Sequence, residues 1–342
     1  MERLERLRPM RTSSYLGLYL RSAAAVALLA GCSGGGSQPP AANAPSSALT
    51  QFGMVPQDTK TNAPAADQVI VSDSFSNAVS VFDAKGRLQA RLKKGMNEPK
   101  GLTTDSAGNL YVANSQDSNV LVYSQPYKLV SLTLKEPGRY PLDVAVSKAG
   151  LVGVMNPTAP SGPGNVTFYK KGSTSACANV SDPNWNEMIF GAFDASGNLF
   201  VDGVDRDGNP LVGEVSGGCA ATSVTALSVG NTMSGVAGVQ VVHGNVLILN
   251  QNYATFTPEI YTYAPPSGGS LGSPIATTKL SAGIEMESFA MTRDDRDLWI
   301  AHSDVAYGRI EYTYPGGRFV KSFNEPSLVT AYGIAVNPAA SP

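Results

Sequence analysis

Short apolar runs of about five residues recur along the chain from residue 69 onward, and most of them follow a short polar turn. The clearest example is residues 110–114 (LYVAN), which come directly after residues 105–109 (DSAGN). Runs of this length, bounded by Asp, Gly and Asn, are typical of β-strands that end in tight turns. No segment after residue 66 keeps apolar residues at helical spacing for three turns, so the pattern predicts an all-β domain.

Diverged copies of the apolar run are spaced regularly. They begin at Val69, Leu110, Val152, Leu199, Val246 and Leu298. Successive copies are therefore 41, 42, 47, 47 and 52 residues apart. A period of about 40–50 residues that is built from strands and tight turns is typical of a β-propeller, in which each repeat forms one four-stranded blade. Six copies predict six blades.

The two ends of the predicted domain carry complementary parts of the repeat. The domain starts near Gln68 with a second strand that lacks a first strand before it. Residues 331–337 (AYGIAVN) match the opening of a repeat, as at residues 99–105, and the repeat then stops. We therefore expect one blade to combine strands from both ends of the chain and to close the ring.

The first 66 residues have a different character from the rest. Residues 1–31 contain five arginines before a short apolar segment, which is too short to span a bilayer as a helix and indicates a signal peptide. Residues 29–32 (LAGC) resemble the lipobox of bacterial lipoproteins, and this resemblance implies that Cys32 is lipidated. An ordinary signal peptide with a chance cysteine is the alternative. Residues 32–66 are rich in Ser, Gly, Pro and Ala and predict a disordered tether, which leaves residues 67–342 for the propeller.

The same resemblance gives the expected location and partners. Ser33, and not Asp, follows the cysteine, which in Gram-negative lipoproteins implies release to the outer membrane, at its periplasmic or surface face. Without residues 1–31 the formal charge is about −5, and the basic residues do not cluster as counterion release from nucleic acid requires. We therefore expect a monomer, anchored to the envelope membrane, that binds an envelope protein or a glycan and no nucleic acid.

Two further cysteines follow the third strand of their repeats, where a blade places its outermost strand. Cys177 and Cys219 form an even pair in an oxidising compartment, which favours a disulfide between neighbouring blades. Two unpaired, half-buried thiols are the alternative.

Residues 99–123 carry a recognisable motif: Pro-x-Gly, then Asp-x-x-Gly-Asn, then an apolar strand that ends in Asn, then Asn-Val-x-Val-Tyr. It resembles the NHL repeat and the related six-bladed propellers of the gluconolactonase and SMP-30 type, and partial copies cover residues 67–342. The resemblance implies a six-bladed propeller. For the gluconolactonase type it also implies a lactonase or hydrolase whose divalent metal is held by Glu, Asn and Asp residues from separate blades.

Polar residues at the ends of the second strands are candidates for a site around the mouth of the central channel. They are Asp73, Asn114, Asn156, Asn250 and His302. Among the positions just before the innermost strands, only Glu287 is acidic, where the gluconolactonase pattern needs several oxygen ligands. We therefore expect no cofactor and no catalytic residue. The alternative is that these residues bind one Ca²⁺, Mg²⁺ or Zn²⁺ ion. A purely structural role is the other alternative for the Asp and Asn residues, whose side chains commonly accept hydrogen bonds from backbone N–H groups in turns.

Aromatic residues lie in or beside the loops of the same face. They are Phe75, Tyr253, Phe256, Tyr307 and Tyr332. Aromatic side chains next to polar groups form contact surfaces at a low cost in side-chain entropy. The predicted function is therefore a binding or scaffold module for a protein or glycan, with a metal-dependent lactonase or hydrolase as the alternative.

Overall fold

The structure is a computed structural model that describes residues 68–159, 162–281, 286–292, 294–303, 308–323 and 328–337. The predictions for residues 1–31, for Cys32 and the tether, and for Tyr307 lie outside the described residues. Within the described ranges the chain is built of strands, with 3₁₀ turns at Ser115–Asp117 and Gly218–Ala220. No helix of this part of the chain is long and apolar enough to cross a membrane.

The strands form six four-stranded antiparallel blades. Blade 1 contains, from the channel outward, β26 (Ala331–Asn337), β1 (Gln68–Asp73), β2 (Ala78–Phe82) and β3 (Leu88–Leu92). Blade 2 contains β4 (Pro99–Thr104), β5 (Leu110–Asn114), β6 (Asn119–Tyr123) and β7 (Val130–Lys135). Blade 3 contains β8 (Asp143–Val146), β9 (Val152–Ala159), β10 (Gly162–Tyr169) and β11 (Ala176–Ser181).

The other three blades follow the same plan. Blade 4 contains β12 (Trp185–Phe193), β13 (Leu199–Asp205), β14 (Pro210–Val215) and β15 (Thr225–Ala226). Blade 5 contains β17 (Val236–Val242), β18 (Asn245–Asn252), β19 (Thr257–Tyr263) and β21 (Ala276–Lys279). Blade 6 contains β22 (Met286–Met291), β23 (Asp297–His302), β24 (Arg309–Thr313) and β25 (Phe319–Phe323). Between blades 4 and 5, a short parallel pair joins β16 (Ser228–Val229) and β20 (Ser270–Gly272).

The predicted six-bladed β-propeller is therefore confirmed. In blade 1, β26 pairs antiparallel with β1, and Gln68 lies opposite Asn337. The innermost strand of this blade therefore comes from the far end of the chain. Blade 6 contacts blade 1 through Arg309, whose guanidinium carbon lies 3.4 Å from the ring centroid of Phe82.

Because successive strands of a blade run in opposite directions, the ring has two faces. The upper face carries the loops that lead into the innermost strands, which we call inner loops, and the loops between second and third strands, which we call rim loops. The lower face carries the turns between first and second strands and the connections into the outermost strands.

The second strands read as continuous apolar runs because a neighbouring blade covers each of their two faces. In β5 every residue is buried. Leu110 and Val112 pack in one cluster with Ile70 of blade 1, while Tyr111 packs in another with Val152 of blade 3. Alternate residues of a single strand thus join two different interfaces between blades.

A disulfide links blades 3 and 4. Cys177 in β11 is bonded to Cys219 in the connection between β14 and β15, with their Cα atoms 5.1 Å apart. The bond therefore joins the outer edges of two neighbouring blades.

Candidate functional site

The innermost strands surround a narrow central channel. Its lining includes Gly101, Asp143, Gly191, Gly238 and Ser288, each from a different blade. The cavity there has a volume of about 30 Å³. This is room for a water molecule, whereas pockets for organic ligands measure about 300–1,000 Å³. An organic ligand therefore has to bind on the surface of this ring rather than in its channel.

Two carboxyl groups lie close together beside the channel and are held by consecutive backbone amides of β12. Asp143 accepts a hydrogen bond from Gly191 N–H at 3.1 Å, and Asp202 accepts one from Phe190 N–H at 3.0 Å. Burial raises the pKa of Asp143 to about 7. Burial, together with the nearby charge of Asp143, raises the pKa of Asp202 well above its usual range. The sequence analysis missed both residues, although an aspartate inside the apolar strand β13 was a visible signal.

The polar residues at the ends of the second strands were predicted to face a ligand, but they are buried and turn inward. Asp73, Asn114, Asn156, Asn250 and His302 are at most 3% exposed. Asp73 accepts hydrogen bonds from Val329 N–H at 2.8 Å and from Thr330 N–H at 3.2 Å. These amides belong to the inner loop of blade 1, the same blade as Asp73.

The other second-strand ends repeat this arrangement. Asn114 accepts a hydrogen bond of 2.6 Å from the amide of Asn97, in the inner loop of blade 2. Asn250 accepts one of 2.8 Å from the amide of Ser234, in the inner loop of blade 5. In blade 3, Asn156 donates to the carboxylate of Glu136 at 3.2 Å. We call these four residues, Asp73 included, the loop clamps.

Blade 4 has no clamp side chain because it has no space for one. Gly203 occupies the equivalent position, and a Cβ there would lie 2.0 Å from the backbone oxygen of Glu187. Direct packing of the start of β12 against the end of β13 thus replaces a side-chain hydrogen bond in this blade.

Blade 3 holds its inner loop through a buried acid. Glu136 is fully buried and accepts hydrogen bonds from the hydroxyl groups of Tyr169 at 2.8 Å and Thr167 at 3.0 Å. Burial is the main cause that raises the pKa of Glu136, and the hydrogen bonds from Tyr169 and Thr167 oppose it. In blade 4, burial raises the pKa of Glu187 to about 7.

The hydrogen bonds of the loop clamps decide whether these residues could form the metal site that the gluconolactonase resemblance implied. Such a site needs several oxygen atoms that converge on one point. The carboxylate of Asp73 and the amide oxygens of Asn114 and Asn250 instead accept hydrogen bonds from inner loops. Among the described residues, no group of three or more His, Cys, Asp or Glu side chains could hold a metal ion. The residues present do not fit the implied metal.

Tyr332 is also not presented at the surface, because it lies on the innermost strand of blade 1 and is 1% exposed. The ammonium group of Lys100 lies 4.2 Å from the centroid of its ring and 3.2 Å from the carboxylate of Glu98. Tyr140 donates a hydrogen bond of 2.5 Å to the same carboxylate. This partly buried cluster joins the innermost strand of blade 1 to residues of blade 2 and to the inner loop of blade 3.

Three of the predicted aromatic residues are exposed on rim loops. Phe75 in blade 1 is 76% exposed, Phe256 in blade 5 is 68% exposed, and Tyr253 in blade 5 is 38% exposed. We call these three side chains the upper aromatics. The ring of Tyr253 rests against Gly235, where a Cβ would lie 2.7 Å from a ring carbon. Burial is the main cause of a raised Tyr253 pKa, and the charge of Glu287 adds to it.

Comparisons with known proteins concern the fold. No protein-family model matches the chain, and no curated protein sequence matches it. Among solved structures, a chain of the nidogen–laminin complex is 12% identical, with a TM-score of 0.63 over 79% of this chain and 98% of that one. A protein of unknown function from Bacteroides caccae is 9% identical, with a TM-score of 0.59 over the same shares.

A third similar structure is the hydrazine synthase of Kuenenia stuttgartiensis. It is 14% identical, with a TM-score of 0.54 over 75% of this chain and 79% of that one. At such low identities these similarities establish the class of protein, a six-bladed β-propeller, and carry no activity from one protein to another.

Proposed function

We propose that this protein is a binding or scaffold module of the cell envelope, and that its upper face recognises a protein or a glycan. The observation that carries the proposal is the exposure of Phe75, Tyr253 and Phe256 on the rim loops. Exposed aromatic side chains are costly to leave in water, and they are common anchors at binding surfaces.

The loop clamps support this proposal because they hold the surroundings of the upper aromatics in place. Asn250 fixes the inner loop at Ser234, and the next residue, Gly235, is the seat of the Tyr253 ring. Asp73 fixes the inner loop beside the rim loop that carries Phe75. A surface that is ordered before its ligand arrives loses less conformational entropy on binding.

The proposed location follows from the resemblance of residues 29–32 to a lipobox. In this proposal Cys32 carries lipid, residues 33–66 form a tether, and the propeller acts as a monomer at the outer membrane. A lipid anchor keeps the propeller at the membrane, and the tether gives the upper face freedom to reach a partner.

The experiment that tests the proposal combines cross-linking in cells with a glycan microarray, both with the full-length protein. A photoreactive phenylalanine at position 256 should give a discrete cross-linked product, whereas the same probe at the exposed lower-face position of Lys171 should not. On the array, F75A/Y253A/F256A should lose any glycan signal that the wild-type protein gives.

The matched control is L88A/L129A/F319A, which truncates three exposed apolar residues on the lower side of the ring. Both triple variants should melt at the temperature of the wild-type protein. Binding that survives the upper-face substitutions, or the absence of any product from either assay, would contradict the proposal.

A further inference from the structure

The exposed large apolar residues of the described chain fall into two groups. One group is the upper aromatics. The other group lies at the start of the outermost strands or in the residue directly before each strand, and its members are 39–72% exposed. It comprises Leu88, Leu129, Val130, Ile275, Phe319 and Val320. These positions are equivalent in the repeat, where the chain leaves the lower face to begin the outermost strand.

The second group occupies four consecutive blades, 5, 6, 1 and 2. The two remaining blades differ at the same position: blade 3 has the small residue Ala176, and blade 4 has Val224, which is only 7% exposed. The apolar positions therefore form one continuous arc on the lower edge of the ring. We call them the lower apolar arc.

A basic residue directly precedes the apolar residue in three of these four blades. These residues are Arg87 before Leu88, Lys128 before Leu129 and Arg318 before Phe319, and all three are exposed. Arg87 also pairs with Asp83 at 2.7 Å. Burial raises the pKa of Asp297, and the nearby charge of Arg318 is among the cations that oppose this shift. Exposed ion pairs of this kind are weak and exchange readily with other partners.

We propose that the lower apolar arc docks the propeller on the surface of a membrane that contains anionic lipids. Large apolar side chains next to Lys and Arg enter the boundary between lipid headgroups and acyl chains, while the cations contact anionic headgroups.

The position at which the chain enters the propeller also favours a membrane as the partner of the lower apolar arc. Gln68 begins β1 on the lower face of blade 1, between the arc positions of blades 6 and 2. If residues 33–66 form the tether of the proposed function, its r.m.s. span is roughly 30 Å. A lipid on Cys32 would therefore hold the lower face within reach of the bilayer. The tether length supports docking only if Cys32 is lipidated, as in the proposed function. The exposed residues support docking independently, because the lower apolar arc lies on the opposite face from the proposed ligand surface.

The first test measures which face enters the membrane. Full-length F319W and F75W are purified in detergent and reconstituted into vesicles of brominated phosphatidylglycerol or brominated phosphatidylcholine, whose bromine atoms quench tryptophan. The native Trp185 and Trp299 are 1% and 4% exposed, so they contribute little to quenching. F75W is the matched control because it carries the same substitution at the more exposed Phe75 on the opposite face.

We expect quenching in phosphatidylglycerol vesicles to be several-fold stronger for F319W than for F75W, and weaker for F319W in phosphatidylcholine. An unquenched F319W, or equal quenching of both variants, would overturn the proposal.

The second test uses charge. In the F319W background, R87E/K128E/R318E should lower the ratio of docked to undocked protein at least tenfold, since each basic residue near an anionic surface contributes appreciably to binding. K148E/K170E/K171E is the matched control, with the same change of charge on the lower face of blade 3, outside the arc. Equal loss in both triple variants would show that general electrostatics, and not the arc, attracts the protein.

The two proposals are separated by independent readouts. The mass of the N-terminal peptide reports lipidation of Cys32, and unlipidated protein is tested by adding it to preformed vesicles. Binding of a partner to the upper aromatics should be unaffected by R87E/K128E/R318E. Loss of vesicle docking with intact partner binding would then overturn only the docking of the lower apolar arc.

Discussion

The carboxylate of Asp73 accepts a hydrogen bond of 2.8 Å from the backbone amide of Val329, across 256 residues of sequence. Asp73 ends the first described strand, and Val329 lies in the loop that leads into the last one. A single side chain from the start of the domain therefore positions the strand that completes blade 1. Asp73 itself is fully buried, so its carboxylate depends on these protein donors and not on water.

We expect D73A to lower the free energy of unfolding by about 3 kcal/mol, since it leaves the amides of Val329 and Thr330 without their charged acceptor. Chemical denaturation of the purified protein measures this loss. D73N keeps one acceptor oxygen and should lose less than half as much. Wild-type stability of D73A would show that the clamp does not hold the closing strand.

Asp143 should make the stability of the propeller depend on pH. Its pKa is about 7 in the folded protein and 3.8 in the unfolded chain. Between these values the unfolded chain has lost the proton that the folded protein retains, so the unfolding free energy falls by about 1.4 kcal/mol per pH unit. The contribution is complete below pH 3.8 and is lost as the pH rises to about 7.

D143N removes this titration. The variant should match the wild-type protein near pH 4 and exceed its stability by about 4 kcal/mol at pH 8, as measured by denaturation at each pH. D207N, at an exposed position of a rim loop, is the control and should follow the wild-type profile. A constant difference between D143N and the wild-type protein at all pH values would exclude this role of Asp143.

The disulfide between Cys177 and Cys219 should contribute to stability through the unfolded chain. The two cysteines are 42 residues apart, and closing a loop of that length corresponds to about 4 kcal/mol in the chain-entropy model. C177S/C219S should lose stability by up to this amount. Reductant should destabilise the wild-type protein similarly and leave the double variant unchanged; a wild-type protein indifferent to reductant would contradict the bond.

Chelation should leave the propeller intact. The side-chain oxygens of Asp73, Asn114 and Asn250 accept hydrogen bonds from inner loops of their own blades, so their arrangement does not depend on a cation. We expect the melting temperature to be the same with and without EDTA. A bound ion found by elemental analysis, together with a melt lowered by chelation, would revive the hydrolase alternative and direct mutagenesis to Glu287 and Asp73.

The sequence was informative wherever local chemistry decides the structure. The turn at residues 105–109 needs a left-handed residue, which Gly108 supplies with φ of +77°. Asp105 then accepts a hydrogen bond from the amide of Asn109 at 2.8 Å. The apolar runs were equally reliable, because a strand covered on both faces by neighbouring blades can carry few polar residues.

The direction of individual side chains could not be read in the same way. Asp73 and Asn114 are residue types that often bind ligands at a surface, yet their side chains accept hydrogen bonds from amides of inner loops. Which amides these are follows only from the three-dimensional structure. Tyr332 was predicted at the rim, but its place on the innermost strand buries it. Asp143 and Asp202 come from different blades, and only the packing of blade 3 against blade 4 brings them together.

The pairing of Gln68 with Asn337 sets the order in which the ring can be completed. A chain that is synthesised or exported from its N-terminus delivers β1 first, but β1 obtains its inner neighbour only when β26 arrives, more than 250 residues later. Long-range pairings of this kind form slowly and leave strand edges exposed in the meantime. Until β26 is delivered, the nascent propeller is an open arc of blades with an unpaired edge on β1, and this is the stage at which a chaperone would be needed most.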